Sequence, residues 1–552
     1  MPIRLSLPSL VLALSAVQAL TLGHAAAESP YDAKQRGLAQ RALVHGREPS
    51  GALDLLELFR QGDRADPVVS RALFDKLAAS RSLGVEQRVM AARAAAVFRR
   101  RAGDLTGSAK VFDELGYLRK FRVIGPFDNE GKQGFDHELG PERERLKAVK
   151  LDAQYDGRER PVRWRKLPDV VQGGAVDFDA LLRPTENVCA LAETTLSFEK
   201  AQPITLWLGG GGANKLYFNG VEVIRDAAYR GFGHDRSVAQ VDAAAGKNRL
   251  LVKSCTTSGP FGFAVRVGDA RGEPLVVAHD ADDLEAVQHT VETLAAEAKA
   301  AAPKLGMLSI LAQLERAVAV PKPSAAALEN LARFLWYSSA DDPAVRRAHQ
   351  LAVRAAELGP SPARYLMASS LADERYEKMR LLQKALALAP NDADVQIANA
   401  RIMSTGPGGE RALRALDKAP TEGAAGLDVL EAKVVFLRQL GLHDSAKATL
   451  AEALKRAPRC EALLEQAAEL ASEETRKDEQ LRISRELVAL RYDHYPSRRA
   501  LTEAAIGAGK DVEALEQLDA IRALYPASEK RAIYLADLYD ALGRDDLELA
   551  TL

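Results

Sequence analysis

A few groups of residues in this sequence have the types and spacing to do chemistry. Gly209–Gly212, in "LWLGGGGANKLYFNGVEV", is a glycine run of the kind that cradles a phosphate when it leads into a helix. Asp128, Glu130, Asp136 and Glu138, in "FRVIGPFDNEGKQGFDHE", supply hard oxygen donors of the sort Ca²⁺ takes. Tyr229, Arg230, Phe232, His234 and Asp235, in "YRGFGHDRS", combine aromatic rings with a cation and a carboxylate, which suits the rim of a sugar or peptide site. The three cysteines stand in "NVCALAE" (Cys189), "VKSCTTS" (Cys255) and "APRCEAL" (Cys460), none with the helix-start context that activates a thiolate nucleophile. The nine histidines form no His-Glu-x-x-His, and neither Cys-x-x-Cys nor Gly-x-Ser-x-Gly occurs.

Each group also has a plainer reading. A P-loop needs Gly-Lys-Ser/Thr opening a helix, but Gly212 is followed by Ala213-Asn214-Lys215-Leu216. Leu216 and Phe218 alternate with polar neighbours, Asn219-Gly220 supplies a type I′ turn, and Val221 and Val223 alternate back, which predicts a tight hairpin and no cofactor. The acidic run lacks EF-hand spacing and reads as a solvated loop turned by Gly125-Pro126 and Gly131, with no metal expected. The Tyr229–Asp235 stretch, set against its reading as a ligand rim, is a polar loop between strands. Together these predict a protein without a catalytic site.

The elements that must position these residues fall into blocks. At 552 residues the chain exceeds one compact core. Lysine plus arginine number 75 against 76 acids, so no basic excess argues for nucleic acid. Residues 1–27 carry Arg4, an apolar run Leu5–Leu22 and the small-x-small pair Ala25 and Ala27, a signal peptide rather than a membrane anchor. No cysteine near that site offers a lipid attachment, so the mature protein is expected to be periplasmic or secreted, with no membrane span. An oxidising compartment permits a Cys189–Cys255 disulfide with Cys460 left as a buried thiol; three reduced, packed cysteines is the other reading.

Residues 32–118 show helical periodicity, and 120–276 hold short alternating strands such as "ITLWLG", "RLLVKSC" and "FGFAVRV" separated by glycine, asparagine or proline. A helical linker, 281–324, follows. In 325–552 six prolines recur as helix-closing residues: Pro360, Pro390, Pro420, Pro458, Pro496 and Pro526. Their intervals are 30, 30, 38, 38 and 30 residues, close to a repeat of about 34. Twelve residues before each proline stand Ala348, Lys378, Gly408, Ala446, Ser484 and Ala514, mostly small, as close helix packing needs.

This pattern resembles the tetratricopeptide repeat family, which implies a solenoid whose concave face binds peptides or protein segments. "KLYFNGVEV", the Gly246-Lys247-Asn248-Arg249 turn and "FGFAVRV" resemble galactose-binding-like jelly-roll modules, which implies a β-sandwich with carbohydrate-binding or accessory roles. The whole resembles the N-terminal scaffold part of large exported bacterial transglutaminase-like proteins, without their catalytic domain. The expected fold is therefore multidomain α plus β, a tetratricopeptide-like solenoid with an inserted antiparallel β-sandwich. The expected function is an exported, non-catalytic scaffold holding a protein or peptide on its helical face, with polysaccharide binding by the sandwich as the alternative.

Overall fold

The computed structural model describes residues 28–551, apart from 169–172, 283, 285–307, 339–341, 405–407 and 527. The expected signal peptide lies outside the described residues, as does much of the 281–324 linker. No described helix is long and apolar enough to cross a membrane.

Helices open the chain. Ser29 and Asp32 cap α1 (Pro30–His45) reciprocally, and Asp66 caps α3 (Pro67–Ala78) through the Val68 N–H. With α2 (Pro49–Arg60) and α4 (Val85–Arg101) they enclose Leu38, Leu55, Leu58, Phe74, Leu77 and Phe98, while α5 (Leu105–Glu114) turns Phe112 toward Val89 and Ala96 of α4.

The β region is a two-sheet antiparallel sandwich. Its strands are β1 (Arg122–Asp128), β2 (Arg165–Lys166), β3 (Val176–Asp177), β4 (Val188–Phe198), β5 (Gln202–Gly211) and β6 (Ala213–Phe218). They continue with β7 (Val221–Asp226), β8 (Gly233–Ala243), β9 (Gly246–Thr256), β10 (Gly262–Gly268) and β11 (Ala278–Asp280). The larger sheet runs β2-β1-β4-β9-β6-β7, with β11 also on β4, and the smaller runs β3-β10-β5-β8. Between them lie Val123, Leu196, Leu206, Leu216, Val252 and Phe263. The outer face of the larger sheet is covered by the excursion carrying α6 (Gln133–Asp136) and α7 (Gly140–Arg143), whose Phe135 and Leu139 pack on Tyr217 and Leu251.

The β6–β7 hairpin turns at Asn219 and Gly220, both at positive φ (48° and 80°), as the type I′ reading requires. The glycine run does more than link strands. Gly209–Gly211 lie within β5, and a Cβ on Gly209 would come within 2.2 Å of the Gly233 carbonyl oxygen, so bare backbone is needed there. Two loop expectations are corrected. Residues 122–128 run as β1 through Gly125-Pro126, with the register shifting between Ile124 and Phe127, and not as a solvated turn. His234 and Asp235 start β8 and do not lie in a loop.

After α8 (Ile310–Val318) the chain forms seven described helical hairpins. In order, their first and second helices are α9 (Ala325–Ser338) and α10 (Asp342–Leu358), α11 (Pro362–Leu371) and α12 (Arg375–Leu388), and α13 (Ala393–Met403) and α14 (Gly409–Leu416). Next come α15 (Gly423–Gln439) and α16 (His443–Arg456), then α17 (Glu461–Glu473) and α18 (Lys477–Leu490). The last two are α19 (Tyr495–Gly507) and α20 (Asp511–Leu524), and α21 (Glu529–Ala541) and α22 (Asp545–Thr551). Ala348, Ala446 and Ala514 are fully buried, which lets paired helices approach closely. Pro496 departs from the pattern: it is the second residue of α19 and starts a helix instead of closing one, because a first-turn proline lacks only an N–H that would be unpaired anyway.

Candidate functional site

The row of first helices is where a solenoid would offer a long surface, and the protein's own N-terminal helices lie along it. Arg60 of α2 stacks over Trp336 and Tyr337 of α9, at 5.2 and 4.4 Å from the ring centroids. The Tyr31 hydroxyl donates to Asp428 of α15 at 3.0 Å, and Arg64 donates to the same carboxylate at 2.7 Å. The Asp63 carbonyl accepts from the Ala462 N–H at 3.3 Å, and the Arg101 carbonyl from the Tyr492 N–H at 2.6 Å. Arg100 donates to the Leu524 carbonyl at 2.6 Å. Hairpins one, four, five and six are thus engaged from within, which narrows the surface that the repeat resemblance implied was open.

What remains open is a groove across α11, α13, α15 and α17. Two adjoining cavities of about 490 and 450 Å³ share Glu431, Val435 and Gln439. Their walls carry Asp394, Asp428, Glu431, Glu465, Glu469 and Glu473 against Arg64, Arg401 and Arg438. Arg64 is held by Asp428 and Glu431, and Arg438 by Glu469 and Glu473, both at 2.7 Å. Burial pushes the Glu431 carboxyl up despite the pull of Arg64. The His494 ring accepts the Ser497 N–H on Nδ1, so its Nε2–H donates to Glu465 at 2.8 Å and holds that carboxyl down. Glu461, Glu465 and His494 are close enough to share a metal ion, but Arg491 already pairs with Glu461. The groove is therefore an acid-rich channel with apolar patches.

The residues picked out from sequence fall elsewhere and apart. The Tyr229 hydroxyl donates to Asn129 at 3.2 Å, and its ring meets Phe135 and Lys132 on the cover of the larger sheet. Arg230 pairs with Asp226. Phe232 packs edge-on to His234, which stands edge-on to Tyr117. Burial, then the nearby Arg93 cation, pushes the His234 imidazole down to about 3, so it stays neutral. Asp235 is buried, taking Arg93 at 2.7 Å and Arg266 at 3.0 Å, and those cations hold its carboxyl low against its burial. Asp235 ties the sandwich to α4, and no single surface presents all five side chains.

Asp128 and Glu130 pair with Arg158, Asp136 with Arg225 and Glu138 with Arg145, so the acidic run spreads over several ion pairs. Cys189 and Cys255 are register partners on β4 and β9 and are disulfide-bonded, and Cys460 is a buried free thiol pushed up to about 12 by burial.

Sequence reading missed the buried ions of the sandwich. Lys253 meets Glu142 at 2.6 Å with both side chains unexposed; Lys215 lies 3.9 Å from the same carboxylate and Tyr217 donates to it at 2.5 Å. Burial lowers the Lys253 ammonium to about 8. The available signal was a lysine set within each of the apolar strands "KLYF" and "LLVKSC". Glu86 was missed too. Its carboxylate accepts the Ile310 N–H at 2.8 Å where α8 begins, and burial with the neighbouring Asp235 lifts it to about 8.

No known family matches the chain, and no curated protein is similar to it in sequence. Among solved structures it is similar to PilW, described as a widely conserved type IV pilus biogenesis factor, at 14% identity over 38% of this chain and 98% of that one, TM-score 0.32. It is also similar to PilF of Pseudomonas aeruginosa, at 16% identity over 41% and 99% of the two chains, TM-score 0.30. A tetratricopeptide repeat protein of Parabacteroides merdae matches at 14% identity over 41% of this chain and 90% of that one, TM-score 0.29. The fold class is that of a tetratricopeptide-like helical solenoid with an inserted antiparallel β-sandwich.

Proposed function

We propose that this protein is a non-catalytic, exported scaffold that holds a cationic segment of another protein in the groove across α11, α13, α15 and α17. The observation that supports the reading is the groove itself: six carboxylates face three arginines, so its walls keep an acidic excess after their internal ion pairs are counted. In an apolar-patched channel a lysine or arginine of the partner gains charge-assisted hydrogen bonds, and charge complementarity sets which segments enter. The N-terminal helices brace the array, and the sandwich, read as a galactose-binding-like jelly-roll module, acts as an accessory platform.

The reading is tested with a photo-crosslinking residue at Gln439, inside the groove, and at Tyr376, which is 80% exposed on α12. A partner crosslinked from Gln439 and not from Tyr376, and lost when Glu469 and Glu473 are changed to lysine, supports it. Equal capture at both positions, or capture indifferent to the charge reversal, overturns it. Export is tested by the mature N-terminus: mass spectrometry should find the chain starting after about Ala27.

A further inference from the structure

A third cavity, of about 810 Å³, lies between the sandwich and the last two hairpins and shares no residue with the acidic groove. Its volume falls within the roughly 300–1,000 Å³ usual for small-molecule sites. On the sandwich side it is walled by Val176, Leu181, Phe232 and Phe261. On the repeat side stand Tyr525, Pro526 and Ile533, the last 53% exposed although it is a large aliphatic side chain. The lining is thus mainly apolar, contributed by two parts of the chain far apart in sequence.

The charges on the two walls are not equivalent. On the sandwich side Asp177 accepts the Asp179 N–H at 2.9 Å, and Asp179 accepts the Phe261 N–H at 2.9 Å, so both carboxylates already serve backbone donors. On the repeat side Lys530 and Arg531 have no carboxylate partner among the described ion pairs. Arg531 is held by rings instead, 3.6 Å over Tyr525 and 4.6 Å over Tyr495, and its buried Nε has no hydrogen-bond acceptor. A guanidinium fixed by aromatic stacking at an apolar cavity, with no carboxylate partner among the described ion pairs and an ammonium beside it, is suited to an anionic head group.

We propose that this cleft binds a small amphiphilic anion, an aliphatic body carrying one carboxylate or phosphate. The body lies against Phe261, Leu181 and Ile533, and removing its apolar surface from water drives entry. The head group pairs with Arg531 and Lys530, where the apolar surroundings strengthen the charge-assisted hydrogen bonds. Such a ligand touches both walls and so bridges the sandwich to the end of the solenoid.

Calorimetric titration of the full mature chain tests this, with dodecanoate and dodecyl phosphate as probes and acetate and dodecyltrimethylammonium as controls. Saturable one-to-one binding of either anionic amphiphile, with neither control binding, is the expected result; which of the two binds tighter identifies the head group. Lys530→Glu and Ile533→Asp alter exposed positions and leave the fold intact, and each should weaken binding roughly tenfold or more. Arg531→Met should do the same, with circular dichroism confirming that the last hairpin persists. No binding by either anionic probe, equal binding of the cationic amphiphile, or affinity unchanged in Lys530→Glu and Ile533→Asp overturns the proposal.

Discussion

In the sandwich, Lys253 and Glu142 meet at 2.6 Å with neither side chain exposed, and the buried Arg266 meets Asp235 at 3.0 Å. In the repeat array the ion pairs stand at the surface or along the groove, as Arg438 does with Glu469 and Glu473, while the tight places between paired helices are filled by Ala446, Ala453 and Ala514. The difference teaches how each part fails. A buried ion whose partner is removed has no water to replace it, so the sandwich depends on a few irreplaceable contacts. A solenoid adds nearest-neighbour interfaces of similar kind, so damage to one hairpin stays near that hairpin.

The largest expected effect tests the sandwich side of this contrast. Glu142→Gln strips the buried Lys253 and Lys215 of their carboxylate partner and should cost about 3–5 kcal/mol. Urea unfolding followed by the fluorescence of Trp207, buried in β5, measures it. A loss below about 1 kcal/mol would mean that the network is not what holds the cover segment on the sheet.

Next comes the covalent tie between β4 and β9. Replacing both Cys189 and Cys255 by alanine should cost about 2–4 kcal/mol, and thiol counting on denatured, unreduced protein should find Cys460 alone. Three free thiols would remove the cross-link from the comparison.

On the repeat side, Ala446→Leu forces extra volume into a fully buried position and should cost about 1–3 kcal/mol. Hydrogen exchange should show the loss of protection confined to α15 through α17. Loss spreading to the sandwich would show that the two parts unfold as one unit and would break the contrast.

The last effect, read as a dependence on pH and not as a fixed cost, concerns their junction and sharpens the comparison. Glu86 of α4 faces Asp235, Arg266 and Arg93 and accepts the Ile310 N–H. Its carboxyl is raised to about 8, so the folded state holds a proton that the unfolded state releases near the ordinary carboxylate value. That contribution is fully present at low pH and is lost as pH rises toward about 8. Glu86→Gln keeps an acceptor without the charge, so its stability relative to the native chain should grow between about pH 5 and pH 8. A difference independent of pH would place the titrating group elsewhere.

Parts of the fold were legible because they are local. Asn219-Gly220 specifies its turn through backbone preference, and the prolines after α10, α12, α14, α16 and α20 mark helix exits through sterics within a few residues. Pro496 was misread because a proline just inside a helix start and one just past a helix end look alike in spacing. The five residues of the Tyr229–Asp235 stretch were grouped by adjacency, yet β8 begins within that stretch and sends Asp235 to Arg93 while Tyr229 faces Asn129. The acidic groove had no linear signature, since Asp394, Glu431 and Glu469 belong to three successive hairpins and converge only when those hairpins stack.

By itself, then, the sequence determined the repeat period, the hairpin chemistry and the placing of two cysteines in one strand-rich block, since each of these follows from preferences within a few residues or one periodic face. Only the tertiary structure decided that part of the first-helix row is covered by the chain's own N-terminus, through contacts such as Tyr31 to Asp428 across 397 residues. It also decided which buried lysine meets which buried glutamate. The physical reason is common to both: a periodic pattern says which face of an element is apolar, but which distant surface covers that face depends on shape and charge matching between parts that have already folded.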